Sequence, residues 1–186
     1  MGMYVTSGID TEVRRTLEAM LEIVNGLRDD DVDIRRLLTE HDFTRAAIAP
    51  EPAIERVEHR MRGLLPRIAS LPDADAEHSV GWVNAELAEI DIAPSLTEHD
   101  GAPLHIHWTP SSARFDDQVI ADVLMALAQE LCDNGTERFG TCSADDCDHL
   151  FYDATRNRSR RFCNDPRCAS RTHTADHRKR ERARAE

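Results

Sequence analysis

Long apolar runs are missing from this chain. No stretch approaches the roughly 18 apolar residues that cross a bilayer. The segment Met1 to Asp10 has neither the basic start nor the apolar centre of a secretion signal. A soluble, cytoplasmic protein with no membrane partner is expected. Aromatic residues are scarce, at 5% of 186 positions, while Ala, Leu, Glu and Arg are plentiful, a balance that favours helix over sheet. There is no phosphate-binding glycine loop, no Gly-x-Ser-x-Gly elbow and no His-Glu-x-x-His pair. Without any of these catalytic frames the chain is not expected to be an enzyme. Internal repeats and low-complexity linkers are absent as well.

What is present is helical periodicity. Val13, Leu17, Met20, Leu21, Val24 and Leu27 recur at three- and four-residue steps and predict a helix over 10–27, with Asp10 or Thr11 as its cap and Gly26 near its end. The run Asp29-Asp30-Asp31-Val32-Asp33 opens a shorter helix to about Glu40, its acids suiting the positive helix end. A third helix spans 52–69, with Ile54, Val57, Met61, Leu64, Leu65 and Ile68 inward; Pro66 predicts a kink or an early end. Residues 76–90 form a fourth, with Val80, Val83, Leu87 and Ile90 inward. Leu104-His105-Ile106-His107-Trp108 alternates and reads as a strand, paired with residues near Ser95–Glu98. Helix returns over 116–131, with Val119, Ile120, Val123, Leu124, Leu127 and Leu131 inward, and Asn134-Gly135 stops it. The fold class expected is mainly α with a small β-hairpin. An N-terminal helical (α+β) domain, residues 1–136, precedes a small C-terminal module, residues 137–186.

Four of the five cysteines fall in that module. Cys142 and Cys147 are separated by four residues, Cys163 and Cys168 by four, and the two pairs by fifteen. Two close thiolate pairs brought together by a loop supply the tetrahedral set that zinc prefers, and four thiolates leave no open position, so the ion is structural. Disulfides are the competing reading, disfavoured in a reducing cytosol. Leu150-Phe151-Tyr152 reads as a short strand and Arg158-Ser159 as the turn of a hairpin. Cys163 precedes a helix and Cys168 lies in its first turns, the treble-clef arrangement of a zinc site. With little apolar content beyond Leu150, Phe151, Tyr152 and Phe162, the module depends on its metal for folding energy. Cys132 reads as a buried small residue.

Charge is segregated. The net charge is −12, yet residues 155–186 hold eleven Arg and Lys against four Asp and Glu, a surplus of seven; the preceding 154 residues hold twelve basic and thirty-one acidic groups, an acidic excess of nineteen. An acidic body with a basic tail points to a polyanionic partner for the tail. From about Asp165 the chain can run as one helix to its end, and on a 100° wheel Arg167, Arg171, Arg178 and Arg182 share a stripe, with Lys179 beside it. Arg156, Arg158, Arg160 and Arg161 extend the cationic surface from the preceding hairpin.

The segments Cys142-Ser-Ala-Asp-Asp-Cys147, Leu150-Phe151-Tyr152-Asp153, Arg160-Arg161-Phe162-Cys163 and Cys168-Ala169-Ser170-Arg171 resemble the CGNR zinc finger. In that family a Phe-x-Asp segment and an Arg-Arg-aromatic-Cys stretch precede a Cys-Gly-Asn-Arg motif. The upstream helices and the strand at 104–108 are similar to the ABATE domain usually paired with that finger. The resemblance implies a bacterial, stress-linked transcription regulator whose finger binds double-stranded DNA. The chain departs at the naming motif: Ala169 and Ser170 stand where Gly and Asn would be, while Cys168 and Arg171 match.

On that reading the arginine helix lies along the major groove with the hairpin arginines on phosphates, because Arg forks match phosphate oxygens and the guanine edge. RNA and a protein partner are the alternatives. His173 and His177 read as solvated. The N-terminal domain would sense a small-molecule effector or form a homodimer. His105 and His107 point the same way on their strand, a geometry open to a second metal, though exposed or hydrogen-bonded histidines are the plainer reading. Trp82 and Trp108 read as packing residues, and Glu86, Glu89 and Asp91 near His99 as a solvated face.

Overall fold

A computed structural model describes residues 8–43, 45–98 and 104–185. The chain runs α1 (Gly8–Arg28), α2 (Ile34–Glu40), a 3-10 turn (Ala46–Ile48), α3 (Glu51–Ala69), α4 (Ala76–Leu87), β1 (Ser95–Thr97), β2 (His105–His107), α5 (Phe115–Asn134), β3 (Phe139–Thr141), β4 (Leu150–Tyr152) and α6 (Pro166–Ala185). It is a mainly helical fold with two small antiparallel strand pairs. Ser95 pairs with His107 in the first and Phe139 with Tyr152 in the second.

α5 lies at the centre, with α1, α3 and α4 packed on it. Its Val119, Ile120, Ala121, Val123, Leu124, Ala126 and Leu127 are buried around more than one face, the pattern of a helix enclosed by others. α1 answers with Leu17, Met20, Leu21, Ile23, Val24 and Leu27, and α3 with Ile54, Val57, Met61, Leu64 and Ile68. Asp33 and Asp75 start α2 and α4 by accepting from the backbone N–H of Arg36 (2.9 Å) and His78 (2.7 Å). Gly135, at φ 64°, turns the chain out of α5, a conformation that side chains disfavour.

Carboxyl groups are buried among these apolar side chains as well, Asp116 the most deeply. Asp116, 1% exposed, accepts from Arg56 Nε (2.9 Å) and Arg114 Nη2 (2.6 Å), with Arg60 at 3.7 Å, and so ties α3 to the start of α5. Burial would raise its pKa, but the two guanidinium hydrogen bonds outweigh that and hold the carboxyl below its ordinary range.

Several expectations need correction. α1 begins at Gly8, so Thr11 lies inside the helix rather than capping it. Pro66 does not end α3: it is exposed in the last turns, where it removes one ladder bond, while buried Ile68 anchors the end of the helix. α4 stops at Leu87, and its buried face is Ser79, Trp82 and Val83; Val80 lies about 100° round from Ser79 and is exposed. Cys132 is exposed too, because Glu130 and Leu131 take the inward positions at that end of α5. Trp82 is in the core and Trp108 packs against it. Glu86 pairs with Arg67, while His99 lies outside the described residues.

Candidate metal centre

The second strand pair differs from the expected hairpin. β4 pairs not with the chain downstream of it but with β3, just upstream of Cys142. The residues at 154–161 form a loop held by Asp153, whose carboxylate accepts from the N–H of Thr155 (2.8 Å) and of Arg160 (2.7 Å). Arg158 turns within that loop at φ 48°. Inside the ribbon, Gly140 faces Phe151; a Cβ on Gly140 would lie 2.5 Å from the ring, so glycine is what lets the aromatic lie across the strand pair.

The ribbon brings the first cysteine pair into its own connecting loop. Cys142 N–H donates to His149 O at 2.8 Å and Cys147 N–H to Ala144 O at 3.1 Å, closing a tight knuckle. Ser143 N–H donates to Arg161 O at 2.8 Å, which draws in the chain leading to Cys163. Asp165 then caps α6, accepting from Arg167 N–H at 2.9 Å, with Pro166 at the first helical position. Hydrogen bonding to Arg167 holds the Asp165 carboxyl down at about 2. Cys168 therefore sits in the first turn of α6, facing the knuckle.

The ligand atoms of all four cysteines lie within 4.8 Å of one another. Cys163 Sγ is 3.8 Å from that of Cys168 and 3.9 Å from that of Cys147. No disulfide joins them. Four sulfurs each about 2.3 Å from a tetrahedral zinc would stand about 3.8 Å apart, so the observed separations fit a shared ion. Backbone N–H groups point at three of the sulfurs from two residues further on: Ala144 at Cys142, His149 at Cys147 and Asp165 at Cys163. Burial pushes the thiols of Cys147 and Cys168 up to about 11 and also raises Cys163. At Cys142 burial acts upward too, but the N–H groups of Cys163 and Ala144 bring it below the ordinary thiol range. A divalent cation replaces these protons, so binding releases protons and weakens in acid. The donor set is that of one structural Zn2+.

A helical body carrying a four-cysteine zinc finger is the class that fold and site define. Residues 138–181, just under a quarter of the chain, match the CGNR zinc finger family model, and the match spans the ribbon, both cysteine pairs and most of α6. No curated protein matches the chain.

The expected cationic residues are dispersed in role. Arg160 is turned inward: Nε donates to Phe162 O (2.8 Å), Nη1 to Tyr152 O (3.2 Å) and Nη2 to Asn164, with the guanidinium 5.2 Å from the Phe151 ring. Arg161 lies 5.6 Å from the Phe162 ring, Arg158 pairs with Glu137, and Arg167 with Asp165. Arg171 reaches Asp146 and Cys168. Arg156, Arg178, Lys179 and Arg182 are exposed. His105 and His107 do come together, Nε2 to Nε2 at 3.0 Å, but among the described residues no third ligand forms a cluster with them.

Sequence reasoning missed how the finger is seated. Asn25 of α1 acts as a strand neighbour to β4, donating to Leu150 O (2.9 Å) and accepting from Leu150 N–H (2.8 Å). Arg28 pairs with Asp148, His149 with Asp29 (2.8 Å) and Asn164 with Glu22 (2.8 Å). Phe139, Leu150 and Tyr152 join the main core, where the Tyr152 hydroxyl donates to buried Glu130 at 2.9 Å. No spacing or motif announces these interactions.

Proposed function

We propose that this protein is a DNA-binding transcriptional regulator of the stress-linked, bacterial, cytoplasmic kind, with a treble-clef finger presenting α6 to duplex DNA. The observation that carries this reading is the exposure of α6. From Ala175 to Arg184 every described side chain is exposed, and the sequence of that stretch holds Arg178, Lys179, Arg180, Arg182 and Arg184 against two acids, Asp176 and Glu181. A helix with no apolar face gains nothing from packing on its own body, whereas this charge matches a phosphate backbone. Arg156 and Arg161, exposed in the preceding loop, extend the same cationic surface. Arg160 is left out, since its donors are committed within the finger. The ABATE-like body serves as the sensing or dimerising unit, and no catalytic step is involved.

A salt titration tests the reading. Zinc-loaded protein is titrated with labelled duplex DNA across a range of salt concentrations. The logarithm of affinity should fall linearly with that of salt. Arg178→Ala with Arg182→Ala should weaken binding and flatten the slope by about 0.9 for each phosphate no longer neutralised. Selection from random duplexes, with and without chelator, then reads sequence preference. Association with no duplex, or with a slope untouched by the double variant, would reassign the finger to a protein partner.

A further inference from the structure

Three of the four cysteine sulfurs are served by a backbone N–H two residues on, and Cys168 is placed where that arrangement fails. It lies in the first turn of α6, so the N–H of Ser170 belongs to the helical ladder. Cys168 is also the most buried of the four, at 1% exposed. Its donor is instead the side chain three residues on: Arg171 Nη2 lies 3.5 Å from Cys168 Sγ. Long side chains on a helix lean toward its N-terminus, which carries a guanidinium at that spacing back over the sulfur. The same nitrogen lies 3.0 Å from Asp146 Oδ1, inside the loop between Cys142 and Cys147. One guanidinium thus touches a ligand of the second pair and the backbone loop that carries the first.

We propose that Arg171 is a positioning residue of the zinc centre, a latch between α6 and the Cys142–Cys147 knuckle that sets how fast the metal is released. Four thiolates around a divalent cation leave two negative charges in a largely buried place. A fixed positive charge beside the most buried sulfur offsets part of that excess. The two N–H bonds of that one nitrogen, Arg171 Nη2, fixed in the guanidinium plane, can serve sulfur and carboxylate together, which the point charge of lysine does less well. Asp146 in turn orients the guanidinium. The ion pair with Asp146, half exposed on both sides, adds little by itself; the hydrogen bond to sulfur is the one that matters. The inference rests on the zinc site and not on the nucleic-acid reading, and it removes Arg171 from the residues free to meet an outside anion.

The test uses the full chain loaded with zinc and, separately, with Co2+. Transfer of zinc to a chromogenic chelator is timed for the parent protein, Arg171→Ala, Arg171→Lys, Asp146→Asn and Arg178→Ala. Release from Arg171→Ala should be about 10–100-fold faster than from the parent, the size seen when a group supporting a metal ligand is removed. Lysine should restore part of the difference, Asp146→Asn should show a smaller increase, and Arg178→Ala should match the parent. In the Co2+ form the sulfur-to-metal charge-transfer band should shift in Arg171→Ala and not in Arg178→Ala. Should Arg171→Ala fail to retain metal at all, Arg171→Lys and Asp146→Asn still order the series. Equal release rates for both arginine variants, or an unmoved charge-transfer band, would overturn the latch. A parent protein without stoichiometric zinc would instead overturn the metal site itself.

Discussion

The body and the finger are held together by different physics. Around α5 some thirty apolar side chains are buried in one continuous cluster, whereas the finger's own cluster is four cysteines, Ala144 and the partly buried Phe162. The body folds because water is excluded from its interior. At the tip of the finger there is almost nothing to exclude, and the metal takes the place of a core. The border between the two does not fall at the edge of the finger: β3 and β4 contribute Phe139, Leu150 and Tyr152 to the body's cluster. The ribbon is anchored by apolar burial, while the knuckle and α6 hang from the zinc.

Removing the metal should break that comparison open most widely. Structural zinc contributes about 10–16 kcal/mol in finger peptides at neutral pH. Chelation, or Cys163→Ser, should release α6 and the knuckle while the body remains folded. Far-UV circular dichroism should lose about a fifth of its helical signal, since α6 supplies 20 of the residues in six helices. Collapse of the whole signal on chelation would show that body and finger fold as one unit.

The next largest effect belongs to the body's most buried carboxyl. Asp116→Ala would remove two charge-assisted hydrogen bonds that tie α3 to the start of α5, while Arg56 and Arg114 stay solvated, and should cost about 2–3 kcal/mol, with zinc affinity unchanged. The pKa of Asp116 is lower folded than unfolded, so its contribution is present above about pH 4 and is lost as pH falls through the folded value. Urea titrations across pH should show a shallower acid loss of stability in Asp116→Asn than in the parent. Parallel acid limbs would mean that the arginines do not bias this carboxyl.

How much is legible in the chain alone divides along the same border. Helix periodicity locates α1, α3 and α5 because a helix declares its buried face every three or four residues, and the cysteine spacing declares the metal because ligand chemistry allows few substitutes. Hydrogen bonds made by single polar side chains over long separations have no such repeat. Nothing near Asn25 says that it will pair with Leu150, 125 positions away. Three-residue strands are too short for alternation to show, so the pairing of β4 with β3 stays hidden. Arg160 and Arg161 look alike in sequence, and only the Asp153 loop decides that the first turns inward. An Asp with Thr two residues later is a local turn signal, legible at 153–155.

The smallest of these effects is the sharpest probe of where the two regions meet. Asn25 sits on α1 and satisfies both backbone groups of Leu150, which lies between the two cysteine pairs. Asn25→Ala would leave a part-buried N–H and C=O without their partner, a cost of about 1–3 kcal/mol. Asn25→Asp keeps the acceptor but loses the donor and should fall between Asn25→Ala and the parent. Neither change touches a sulfur, so zinc release should stay at the parent rate while hydrogen exchange at the Leu150 amide accelerates. Faster exchange there with unchanged metal retention would place the border at α1 and β4, where apolar anchoring gives way to metal anchoring. An unchanged Leu150 amide would move the junction to the Arg28–Asp148 and Asp29–His149 pairs, and the ribbon would then be held chiefly by charge.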